Sequence, residues 1–138
     1  MFVIGKLYKT LGGYENTKLH GNLSFVGSLC CAGGVWAIYQ NKENSSKPHF
    51  TSQHSQYAVY LLGVIVLLLL NGLLGLHPDW GFVKANKLVR SLHHWGGKAL
   101  LVGMCYLCYD GTSKVVRDDQ MRLAFGAPLA MLAALVLA

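Results

Sequence analysis

Charge is scarce in this chain. Only 13% of its 138 residues are Asp, Glu, Lys or Arg, while 53% are hydrophobic. An ordinary soluble domain carries about a quarter charged residues, so a simple water-soluble globule is excluded. There is no internal repeat, coiled-coil heptad or low-complexity tract, and Met1–Gly13 lacks an apolar core of signal-peptide length. Cysteine is also sparse: Cys30 and Cys31 fall in one apolar stretch, Cys105 and Cys108 in another. A CxxC on a lipid-buried helix lacks the water and the second ligand pair of a zinc site. These cysteines read as small packing residues.

What the chain does have is long apolar runs. Gly21–Tyr39 and Tyr57–Leu76 contain no charge at all, and about 20 such residues span a bilayer core as a helix. His93–Tyr109 is broken only by Lys98, whose long side chain can snorkel to the headgroups. A fourth run, rich in alanine and leucine, occupies the C-terminal end. The expectation is an all-α, polytopic membrane helical bundle forming one domain over 1–138, with about four transmembrane helices near 21–39, 57–76, 93–109 and 122–138. Residues 1–19 are expected to form an irregular polar lead. Asn44, Ser45, Ser46 and Pro48 mark the first loop, and Pro78 stops the second helix. Residues 79–91 and 110–120 form the remaining loops.

The formal net charge of +6 reflects membrane topology rather than nucleic-acid binding, because the basic residues flank the apolar runs. Lys6, Lys9, Lys18, Lys84, Lys87, Arg90 and Lys98 fall on one side, and Lys42, Lys47, Lys114, Arg117 and Arg122 on the other. Seven against five places the N-terminus in the cytosol by the positive-inside rule.

Three histidines, His20, His54 and His93, each begin an apolar stretch. Ionisable residues in membrane segments are costly and usually functional. In an up-down chain, His20 and His93 begin helices of the same direction and share one surface, while His54 lies at the other. Two imidazoles at matching depth on neighbouring helices suit a bis-histidine haem. From His20, helical spacing runs through Ser24, Gly27, Cys31 and Gly34, small residues that would serve either a flat macrocycle or a close helix–helix contact. The face of His93 continues through Gly97, Leu100 and Met104, whereas that of His94 reaches Lys98. His93 is therefore the inward-facing member of the adjacent pair, and His94 is interfacial. His54 has no second ligand in this chain: His49 precedes the helix proper and His77 lies at its far end.

These residues resemble the cytochrome b-561 family of transmembrane ascorbate-dependent reductases. Lys18-Leu19-His20 opens one helix, Lys47-Pro48-His49-Phe50-Thr51-Ser52-Gln53-His54 matches the family's KPHFTSxHG pattern, and His93 with Gly97 matches its HxxxG. The resemblance covers residues 18 to 110. It implies haem b, with His20 and His93 as ligands of a cytosolic haem and His54 as one ligand of a second. It implies that His49 stands at the opposite substrate surface. Lys18, and with it Lys87 or Arg90, would hold ascorbate, unless these basic residues serve only positive-inside topology. Electrons would then pass from ascorbate towards monodehydroascorbate or a ferric chelate, in an endomembrane rather than the plasma membrane. Against the family pattern the first two helices are absent, and Ser55 replaces a glycine. The expectation is a truncated member with one complete haem site and a half-present second site, poorly competent alone for transfer across the bilayer, unless a second copy completes the His54 site in a homodimer. The alternative is a haemless or non-functional membrane subunit whose histidines are merely interfacial.

Overall fold

The computed structural model describes residues 2–137, with side chains from residue 13 onward. The described chain forms four helices: α1 (Phe2–Asn44), α2 (Gln53–Leu70), α3 (Lys87–Val115) and α4 (Asp119–Leu137). A single π-helical turn, Asn71–Gly75, continues α2. Three of these segments are long and apolar enough to cross a membrane: Gly13–Asn44, Gln53–Gly75 and Asp119–Leu137. At 29 residues α3 is also long enough, but Lys87, Arg90, Lys98, Asp110 and Lys114 lower its hydropathy. It packs against both α2 and α4, so it is the helix whose polar groups can face protein instead of lipid.

The expected irregular lead is instead helical from Phe2. The reason lies in what the segment lacks: no proline occurs before Pro48, and Gly12 and Gly13 cost a helix only about 1 kcal/mol each. Thr17 directs its hydroxyl to the Gly13 carbonyl at 2.8 Å, a bond that continuous helix satisfies. Helix α1 stops in a Schellman arrangement. The Lys47 N–H bonds the Lys42 carbonyl at 2.9 Å, and the Ser46 N–H bonds the Glu43 carbonyl at 3.0 Å. Ser46 takes the left-handed conformation usually given to glycine, with φ 51°.

Helix α2 begins four residues earlier than its apolar run suggests, because a capping box fixes the start. The Ser52 side chain accepts the Ser55 N–H, and the Ser55 hydroxyl accepts the Ser52 N–H, both at 3.2 Å. This places His54 inside the first turn. Similarly, Asn86 caps α3 by accepting the N–H groups of Leu88 and Val89 at 3.0 and 3.2 Å, which sets the start at Lys87. At its other end α3 continues to Val115, so Asp110 stands on the helix and not in the expected loop.

Between α2 and α3 the chain folds back tightly. Gly81 donates to the His77 carbonyl at 2.8 Å, Val83 to Gly75 at 3.0 Å, and the Trp80 indole to Leu73 at 3.0 Å. A Cβ on Gly81 would lie 2.5 Å from the His77 carbonyl oxygen, so this turn admits only glycine. Cross-chain pairs fix the direction of each helix. Asp79, in this turn, contacts Tyr14 and Lys18 of α1, whereas His54 at the start of α2 meets Asp110 near the end of α3. The helices therefore run up and down, with His20 and His93 at one end and His54 at the other. Cys105 is the one buried hydrophobic residue among those described, and large apolar side chains on every helix point outward. That inverted distribution is what a lipid environment accommodates.

Candidate haem-ligand site

His20 and His93 meet across α1 and α3 with ring centroids 6.3 Å apart and planes at 88°. Two imidazoles binding one metal from opposite sides, each through a nitrogen about 2 Å away, have ring centres about 6 Å apart. The observed centroid separation is close to that spacing. His93 Nδ1 is buried without a hydrogen-bond partner, and Asn71 Oδ1 is the other such buried side-chain atom among the described residues. An imidazole free of competing bonds is suited to ligation.

The surroundings give a flat group space. A Cβ on Gly97, one turn beyond His93, would meet nothing within 4 Å, and the same holds at Gly27 and Gly34 on the α1 stripe. These two glycines of the stripe therefore face open space, while Ser24 and Cys31 of the same stripe are half-buried. On the other flank α2 comes close: a Cβ on Gly72 would lie 3.2 Å from His93 Cε1. The π turn that begins at Asn71 thus sets glycine against the His93 ring; such turns recur at functional sites. His94 is exposed beside Trp95, its ring centroid 5.6 Å away. Lys98 lies over the Trp95 ring at 5.2 Å.

At the same end, Lys18 Nζ lies 3.2 Å from Asp79 Oδ2 and 4.3 Å from the Tyr14 ring centre. Tyr14 also donates its hydroxyl to Asp79. That hydrogen bond first, and then the Lys18 ammonium, hold the Asp79 carboxyl below its ordinary range. Lys87 and Arg90 stand exposed in the first turn of α3 without an ion-pair partner among the described residues. His77, stacked on Trp80 at 3.5 Å, belongs to the turn rather than to the ligand pair.

At the opposite end, His54 Nδ1 lies 2.7 Å from Asp110 Oδ2, which also accepts from Lys114 Nζ at 2.6 Å. His49 Nε2 lies 2.6 Å from Glu43 Oε1, and Tyr39 stacks on the His49 ring at 4.3 Å. His49 is thus engaged with α1, and it does not pair with His54. No cluster of three or more His, Cys, Asp or Glu residues suited to a metal ion occurs among the described residues, and all four cysteines are free.

Three contributors escape a reading by histidine spacing. Asn71 is a polar residue within an apolar run, which is itself a signal. Asp110 was hidden by the expected loop boundary. Gly72 carries no local signal, because its role depends on a residue of another helix.

These features define a polytopic helical membrane protein with two imidazole rings brought together at one end of the bundle. A family model described as "Eukaryotic cytochrome b561" matches residues 6–118, and the chain belongs to that family. Membership makes it a transmembrane b-type cytochrome of electron transfer. No curated protein and no solved structure matches the chain.

Proposed function

We propose that His20 and His93 hold one haem b, and that the chain takes electrons from cytosolic ascorbate and passes them towards monodehydroascorbate or ferric iron. The observation that carries this reading is the 6.3 Å approach of the two rings beside open space at Gly97. With both axial positions filled by imidazole, a haem there would exchange single electrons and leave no place for oxygen. The chain's own contribution is to hold the two rings in register from α1 and α3, with the half-buried His93 ring against Gly72 of the turn that continues α2. Lys18, Lys87 and Arg90 give the same end a cationic surface. Such a surface raises the encounter rate of an anionic reductant such as ascorbate.

At the other end, His54 serves as one ligand of a second haem, with its remaining ligand supplied from outside the described residues, for instance by a second copy. His49, beside Glu43 and Tyr39, stands where the electron acceptor approaches. The compartment we propose is an endomembrane, on the family resemblance; fractionation of cells expressing tagged protein tests it.

The functional test is anaerobic mixing of the purified protein with ascorbate. Reduction should produce sharp visible bands, and His93→Ala should remove the component that also depends on His20. The double variant Lys87→Gln/Arg90→Gln should slow the reduction at low ionic strength and less so at high salt. A colourless, well-folded preparation would contradict the proposal and favour a haemless subunit.

A further inference from the structure

We propose that Asp110 is the positioning residue of His54, fixing which ring nitrogen this histidine presents at the second site. The inference rests on the reading of His54 as a haem ligand, and extends it to a residue on a different helix.

The geometry closes around the ring from one side. His54 Nδ1 and Asp110 Oδ2 are 2.7 Å apart across α2 and α3, although 56 residues separate them in the chain. A carboxylate can only accept, so Nδ1 carries the proton and Nε2 is the bare nitrogen. The next residue, Gly111, makes room for the ring: a Cβ there would lie 3.1 Å from His54 Cε1 and 3.7 Å from Nε2. Asp110 and Gly111 therefore act together, one holding Nδ1 and the other letting the ring lie close to α3. Lys114 Nζ, 2.6 Å from the same carboxylate oxygen, supplies the countercharge.

This arrangement reproduces the way metal-bound imidazoles are oriented, with the distal nitrogen donating to a carboxylate that fixes the tautomer and makes the ring a stronger donor. The contrast with the other end is direct, since the His93 Nδ1 has no hydrogen-bond partner. The two ends are thus built with different ligand strengths. An iron held by the carboxylate-bonded His54 would favour its ferric state more than one held by an unassisted imidazole.

The test uses the full chain in lipid nanodiscs with ¹⁵N-labelled histidine, comparing wild type, Asp110→Leu and Asp110→Asn. In haem-free protein the His54 signal, assigned by its loss in His54→Ala, should show the Nδ1–H tautomer. Asp110→Leu should shift it towards Nε2–H, while Asp110→Asn, which keeps an acceptor oxygen, should retain it. In haem-loaded protein the His54-dependent component should become easier to reduce in Asp110→Leu. The expected change is about tenfold in the reduced-to-oxidised ratio at fixed potential, at the lower end of outer-shell effects. An unchanged tautomer in Asp110→Leu would overturn the proposal. If no haem component depends on His54, the ligand reading fails, and the tautomer comparison still decides the role of Asp110.

Discussion

Replacing Gly72 with alanine should separate fold stability from cofactor binding. The added Cβ would lie 3.2 Å from His93 Cε1, whereas carbon atoms pack best at about 3.5–4.0 Å. The His93 ring must therefore yield by roughly 0.3–0.8 Å. A functional constellation tolerates displacement of only about 0.5 Å, so the shift reaches the limit at which a ligand pair set for one metal fails. Loss of outer support at metal sites commonly costs 10–100-fold in affinity, and about tenfold weaker haem retention is expected. The effect on the protein fold is different. Alanine gains about 1 kcal/mol over glycine in helix propensity, and mild overpacking costs about 1 kcal/mol or more. The two nearly cancel, leaving helicity and unfolding midpoint close to wild type. The assay pairs circular dichroism with haem content after extended washing against a haem scavenger. Wild-type haem retention in the alanine variant would refute the claim that Gly72 positions the His93 ring for the proposed haem.

Gly97→Leu should retain the helical spectrum yet lower haem content, because its side chain enters space that no described protein atom uses; absorbance per mole of purified protein checks this. Ser46→Gly should stabilise the chain by roughly 1 kcal/mol, since it relieves a side chain held at positive φ, and denaturant unfolding in detergent measures it. Asp79 gives a pH signature of definite sign. Its carboxyl titrates below the ordinary 3.8 in the folded state, so its link to Tyr14 and Lys18 is fully present above that value and is lost as pH falls through the lowered one. The protection of amides in the turn between α2 and α3, taken relative to their intrinsic exchange rates at each pH, should therefore hold at neutral pH and fall only under strong acid, whereas Asp79→Asn should lower it at neutral pH.

The helical character and up-down course were legible in the sequence because uncharged runs of membrane length leave the backbone few alternatives. That His20 and His93 share one end of the bundle followed from helix direction, and their rings lie 6.3 Å apart. Boundaries were less legible, since they depend on caps: Ser52 with Ser55, and Asn86, start α2 and α3 several residues before the apolar pattern does. The first of these extensions carries His54 onto α2, and the continuation of α3 to Val115 at its other end carries Asp110 onto that helix. The lead before Lys18 read as irregular from its glycines and charges, yet no residue there forbids helix. Relations between helices, such as Gly72 against His93 or Asp110 against His54, have no local signature and became visible only with the fold.

The most direct test of the account is haem stoichiometry in purified wild type, His20→Ala, His93→Ala and His54→Ala proteins. The account predicts that one haem per chain survives His54→Ala and is lost in both His20→Ala and His93→Ala. Loss of all haem with His54→Ala, while His20→Ala and His93→Ala keep the wild-type haem content, would contradict it.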